Sequence, residues 1–400
     1  MRLGGTGLLT VLILASTMLV LGCSGVVVPT PSPTAPTTPV TEPVLPSLPS
    51  PQAEILPLPS PSPGPSPEPT ATPLQPRSLL IEGLQAERLI GDPQVAPTFY
   101  ALTPAGLYIT QDGGRTWALV TPIPQQEEFV FSPAAPAILY AGQGYDCYRG
   151  GGDVPFYKSV DGGAVWTEVP GGINLHPVAV HPQDPQRLWA IGCEGPYFSA
   201  DGGVTWVLRG GAPFQSYRVE FLIPVFTDWK QVYAGINSEG GAGAIIASRD
   251  GGRTWQVLIA DLPGAATWIQ ALYVMPHDGR RLFFATPTGV WLSQDGGETW
   301  AQSTAGLEDV LYREDSFATR FGFQTLVAEE ETGDLYLGSV RGLYVSRDGG
   351  KQWSRLEGTP WDDEMILDVD LSSGEKRQLY VTTAQGVFVM ELPTGRKDTD

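Results

Sequence analysis

The chain has 400 residues, and 43 Asp and Glu against 24 Lys and Arg give it a formal net charge of −19. Of that acid only Glu42, Glu54 and Glu68 lie in the Pro-rich N-terminal part, so the charge belongs to the rest of the chain. A domain this acidic repels nucleic acid and anionic lipid surfaces, and both are excluded as partners; solubility is the ordinary reason for such charge.

The chain opens with Arg2 and then runs apolar, apart from Thr and Ser, from Leu8 to Leu21, ending in Val20-Leu21-Gly22-Cys23. A charged start, an apolar core and a small residue before the cut describe an export signal over 1–22. The last four residues resemble a bacterial lipobox. That resemblance implies a lipid on Cys23 as the first mature residue, exported to the bacterial cell envelope or surface and held by acyl chains with no spanning helix. The alternative is an uncleaved anchor, since about twenty apolar residues also span a bilayer.

Between Pro29 and Pro76 lie eighteen of the 38 prolines. Proline removes backbone donors, and the segment has too little apolar surface to fold, so 23–76 is expected to be a disordered, extended stalk. At roughly 3.1 Å per residue its proline-rich part would reach on the order of 150 Å.

From Arg77 onward the sequence repeats. The octet "SRDGGRTW" at Ser248–Trp255 recurs as "TQDGGRTW", "SVDGGAVW", "SADGGVTW", "SQDGGETW" and "SRDGGKQW". This places Asp112, Asp161, Asp201, Asp250, Asp295 and Asp348 at intervals of 40 to 53 residues, each with a Trp five positions on: Trp117, Trp166, Trp206, Trp255, Trp300 and Trp353. Alternating segments such as "AGLYIT", "TGVWLS" and "RGLYVS" precede the octets and read as strands. A second repeat, a strand closing on an aromatic and a small residue as in "AILYA", "RLWA" and "LFFA", occurs seven times, the seventh without an octet. Blade-sized spacing predicts an all-β, seven-bladed β-propeller over 77–395, with 396–400 a disordered tail. Its last blade lacks an outer strand, which "RSLLIEG" at 77–83 would supply to close the ring.

The octet resembles the Asp-box, or BNR repeat, of sialidase-like propellers, of sortilin-type receptors and of photosystem II assembly factors. A hairpin staple is the expected role: Asp accepts the turn's own amides, Gly supplies positive φ, and Trp buries its ring. Each octet holds only one or two carboxylates, too few for a calcium loop, and the near-constant surroundings do not suit catalysis; no metal or cofactor is expected.

In a meander the octet turns occupy one face, so ligands are expected on the other. The candidate binding residues there are Tyr145, Asp146, Tyr148 and Arg149 in a long blade-two loop, with His176, Glu194, Arg218, Trp268, Tyr312, Arg313, Arg341 and Trp361. A second long loop is "INSEGGAGA" in blade four, and a short helix is expected around Leu307–Asp315. Cys147 and Cys193 fall on that face of adjacent blades as a candidate disulfide.

Sialidases pair a Tyr nucleophile with Glu and three arginines. Here Tyr312, Glu314 and Asp315 with Arg218, Arg320 and Arg341 show no such spacing, and the aromatic-Arg-Ile-Pro motif is missing. The expectation is therefore a monomeric, surface-displayed, non-catalytic propeller that binds a protein or glycan or serves as an assembly scaffold, the alternative being a divergent sialidase-type glycoside hydrolase.

Overall fold

Seven small antiparallel sheets carry the chain in a computed structural model that describes residues 54–55, 77–79 and, with short gaps, most of 86–392. Blade one is Arg88–Gly91, Phe99–Thr103, Gly106–Thr110 and Ala118–Thr121; blade two is Glu128–Ser132, Ala135–Gly142, Phe156–Ser159 and Thr167–Glu168. Blade three runs His176–His181, Asp184–Gly192, Gly195–Ser199 and Val207–Leu208, and blade four Tyr217–Val225, Asp228–Ser238, Gly243–Ser248 and Gln256–Ile259. Blade five holds Ala271–Val274, Leu282–Thr286, Gly289–Ser293 and Thr299–Ser303; blade six holds Phe323–Ala328, Leu335–Ser339, Gly342–Ser346 and Ser354–Arg355. Blade seven has Ile366–Leu371, Gln378–Thr383 and Gly386–Glu391, and its outer strand is Arg77–Leu79, paired antiparallel with Arg77 opposite Val389. The ring closes as expected, by joining the two ends of the domain.

First strands of adjacent blades pack on each other. Glu128–Ser132 meets His176–His181, Phe323–Ala328 meets Ile366–Leu371, and the latter meets Arg88–Gly91. They therefore circle the axis and line the channel. Apolar side chains gather in seven clusters, one at each seam between neighbouring blades. The small centres of the second strands, such as Ala101, Ala141, Ala190, Ala234 and Ala285, are fully buried. The aromatic beside them turns to the seam. Tyr140 and Tyr233 donate their hydroxyls to the Pro185 and Gly279 carbonyls, in the first hairpin of the next blade, at 3.0 and 2.9 Å.

The octets hold the same end of each seam, where their glycine amides reach the first hairpin of their own blade, as Gly202 does to the Gln186 carbonyl at 2.8 Å. In the Ser248–Trp255 hairpin the Ser248 hydroxyl donates to Asp250 Oδ1 at 2.9 Å and accepts the Gly252 amide at 2.7 Å. Asp250 then accepts the Arg253 and Thr254 amides and the Thr254 hydroxyl at 2.7–2.9 Å. Gly251 and Gly252 have φ of 75° and 79°, which a Cβ penalises. The same bonds recur at Asp112, Asp201 and Asp295. Where Val165 and Gln352 replace the Thr, the hydroxyl bond is lost and the amide bond to Asp161 or Asp348 remains. Each octet Trp joins the seam with the preceding blade. Trp300 and Trp353 are fully buried, and Trp353 Nε1 donates across the seam to Ser303 Oγ at 3.1 Å.

Three expectations change. Residues after Ser303 form turns, with Val310 and Leu311 amides both bonded to the Leu307 carbonyl, so the described part of this connection holds one helical turn in place of a helix. Trp361, expected on the ligand face, is 0% exposed and packs on Phe388, plugging the seam between blades six and seven. Within the segment expected to be a disordered stalk, Glu54–Ile55 forms a fifth strand on blade five, parallel to Thr299–Trp300. Among the described residues no helix is long and apolar enough to cross a membrane.

Candidate functional site

The connections opposite the octets are those between second and third strands and those leading from one blade into the next. Tyr145, Asp146, Cys147, Tyr148, Arg149, Arg313, Glu314, Asp315 and Arg320 lie outside the described residues. Cys193, in the second-to-third-strand turn of blade three, is disulfide-bonded. Beside it Glu194 accepts the Tyr197 hydroxyl at 2.9 Å, and burial foremost raises that phenol to about 12.

Blades four and five hold two of the remaining candidates, Arg218 on the first strand of blade four and Trp268 in the connection between the two blades. The Ser238–Gly243 turn closes on itself: the Ser238 hydroxyl accepts the Ala242 amide at 3.0 Å, and the Ser238 carbonyl accepts the Gly241 amide at 2.9 Å. Gly241, at φ 83°, lies against the Trp268 ring, and the Thr267 hydroxyl donates to its carbonyl at 3.3 Å. A Cβ on Gly243 would stand 2.3 Å from the Thr267 carbonyl oxygen, so only glycine lets the two loops approach this closely. Asn237 clamps them from below, accepting the Ile269 amide at 2.7 Å and donating to the Ile269 carbonyl at 3.1 Å.

Asn237 also hydrogen-bonds Glu220 on the first strand of blade four. Arg218 Nε lies 3.5 Å from Glu220 Oε1, with side chains 56% and 30% exposed. Burial raises the Glu220 carboxyl above its ordinary range, and the Arg218 charge and Asn237 bond pull against that rise without cancelling it. Glu220 sits where the pairing with the second strand shifts register, between Val219 and Phe221, and its contact with Arg218 brings the two side chains together on the first strand. The result is a held, partly exposed carboxyl that retains its proton to higher pH than usual, and its Asn237 partner grips the Ile269 backbone next to Trp268.

Across the ring, Asp368 and Asp370 alternate on the first strand of blade seven. Thr325 Oγ1 donates to Asp368 at 3.5 Å, and the Gly91 amide donates to Asp370 at 3.3 Å, so the pair ties blades six, seven and one together. Between these positions the Tyr273 hydroxyl donates to the Ala328 carbonyl at 3.1 Å; burial, then the Asp370 and Glu330 charges, raise its pKa. Asp368, Asp370, Glu220 and Asn237 sit on strands, outside the loops that the sequence marks as candidate sites. Alternating acids within an apolar strand, as in "ILDVDL", were the available signal.

The other candidates lie apart. The Tyr312 amide donates to Pro287 O at 2.8 Å, which fastens the loop after blade five to that blade's own turn. Asp309 below it receives the buried Tyr344 hydroxyl, 2.7 Å from both carboxylate oxygens. Arg341 is exposed on the blade-six turn, and His176 begins the first strand of blade three, half-buried. No cluster of three or more metal-ligating side chains occurs among the described residues.

The molecule is thus a closed seven-bladed propeller whose channel mouth carries a Glu, Arg, Asn and Trp group. Known proteins similar to it include xyloglucanases in sequence and propellers of several kinds in structure. A xyloglucanase of Paenibacillus sp is 27% identical over 258 residues, 59% of this chain and 23% of that protein. A probable oligoxyloglucan-reducing end-specific xyloglucanase of Neosartorya fischeri is 26% identical over 202 residues, 49% of this chain and 19% of that protein. This chain therefore spans about a fifth of the length of the curated relatives it matches.

Among solved structures, an ancestral GH74 enzyme superposes with a TM-score of 0.55 at 18% identity, over 79% of this chain and 45% of that one. A YCF48 bound to a D1 peptide gives 0.55 at 17% identity over 82% of this chain and 99% of that one. No protein-family model matches. These findings correct the expectation that the propeller performs no chemistry: the curated proteins it matches in sequence are xyloglucanases.

Proposed function

We propose that this propeller is a glycoside-hydrolase-type module that takes a neutral β-glucan chain of the xyloglucan kind at its channel mouth. The observation that carries the reading is the sequence likeness to three xyloglucanases. The site supplies its chemistry. Trp268 offers a flat apolar face for a sugar ring, and Arg218 and Asn237 offer donors to hydroxyls. Glu220, with its raised pKa, takes the role of proton donor to a leaving oxygen; Asp368 and Asp370 are assigned the second carboxylate that hydrolysis requires. A net charge of −19 favours a neutral glycan over a polyanionic one.

The test is calorimetric titration of the purified protein with xyloglucan oligosaccharides, alongside reducing-end release from the polymer. Binding lost in Trp268→Ala, with release falling at least about a hundredfold in Glu220→Gln while binding persists, is the expected pattern. Unchanged release in Glu220→Gln removes that residue from the chemistry, and absence of both binding and release defeats the reading.

A second reading is favoured by coverage: YCF48 matches over almost its whole length, and one such structure holds a D1 peptide. On that reading the same mouth takes a peptide, which would then bind in place of xyloglucan in the same titration.

We also propose that the resembled lipobox is used, with Cys23 acylated and the propeller displayed at the envelope, and that the octets are Asp-boxes in the structural sense. Incorporation of labelled palmitate, abolished by Cys23→Ser, checks the anchor; incorporation that survives the substitution refutes it.

A further inference from the structure

Outer strands differ in length around the ring. Those of blades two, three and six have two residues, whereas Thr299–Ser303 of blade five has five. A long outer strand leaves a row of unpaired donors and acceptors, which invites another strand. In this molecule Glu54–Ile55 occupies that edge, with Glu54 opposite Thr299 and Ile55 opposite Trp300, in parallel.

The sequence of the N-terminal segment singles out the same two residues independently. A proline has no amide to give to a ladder. Between Pro29 and Pro76 the prolines are never more than four positions apart, except between Pro51 and Pro57. Gln52-Ala53-Glu54-Ile55-Leu56 is therefore the longest stretch with a complete set of donors, and it carries the segment's sole isoleucine.

From these two observations we propose that the outer edge of blade five is a strand-accepting surface whose occupant is this chain's own Gln52–Leu56. The segment is a tether with a built-in docking strand, and the prolines on either side stop the pairing from spreading in either direction. Addition to an edge in this way takes its affinity from main-chain bonds and its selectivity from side chains at alternate positions.

The experiment uses the full chain. Amide hydrogen exchange is followed by mass spectrometry over residues 299–303 in the unaltered protein and in Ile55→Pro. The substitution lies outside the ring, so melting temperature should hold. Exchange at the outward amides should rise at least tenfold, and a synthetic Gln52–Leu56 peptide added in excess should restore protection.

A cysteine pair, Glu54→Cys with Thr299→Cys, then distinguishes the occupants after oxidation on a non-reducing gel. A cross-linked monomer is the expected species. A cross-linked dimer would make the occupant a second copy and overturn the assignment to the same chain. Equal exchange in both proteins, without cross-linking, would overturn the pairing itself.

Discussion

At Asp250 the carboxylate accepts two amides and two hydroxyls from its own octet, and the bonds to Thr254 foremost hold its pKa at about 2 against an ordinary 3.8. Asp112 is lowered to about 2 in the same way, first by the Thr116 hydroxyl. A depressed folded pKa means the contribution is complete above about pH 4 and is lost as pH falls toward 2. Asp250→Asn should therefore lower the melting temperature by a few degrees at pH 7, with the difference from the unaltered protein closing at pH 2. A difference that is constant with pH would assign the loss to something other than the ionised carboxylate. Trp361 acts through packing instead. With 0% exposure and Phe388 as its neighbour, Trp361→Ala should cost about 3–5 kcal/mol in denaturant unfolding and leave the mouth of blades four and five intact.

Among the elements, the octet hairpins were legible from sequence because their bonds are local. Ser248, Asp250, Gly252 and Thr254 satisfy one another within seven residues, so the pattern is written in one short string. The mouth was half legible. Trp268, Arg218 and the glycine-rich loop declared themselves, but Glu220 and Asn237 meet through a strand register that becomes visible only once Arg218 is opposite Asn237. Trp361 misled because whether a loop aromatic faces water or a seam is decided by the next blade. Glu54–Ile55 was hidden by the proline content around it. Ring closure was read correctly from a count of strands, seven motifs against six octets. Removing Arg77–Leu79 should leave the Gly386–Glu391 edge unpaired, and light scattering should then report association that the intact chain does not show.

For the whole molecule, seven seams of similar construction make the disc a repeated solution to one packing problem, with departures concentrated where function or closure requires them. Blade seven has no octet, and its seam with blade six is filled from the opposite rim by Trp361, in the place that Leu307, Leu262 and Phe214 take elsewhere. Blade four carries the longest first and second strands, Tyr217–Val225 and Asp228–Ser238, and these bring Glu220 and Asn237 to the channel mouth.

The two-residue strand on blade five also gives the molecule a mechanical order. Tension entering from the N-terminal side reaches Glu54–Ile55 before it reaches Arg77–Leu79, the strand that closes the ring. On the pairing proposed above, what such a pull meets first is a parallel pairing two residues long, and the strand that closes the ring lies behind it in the chain.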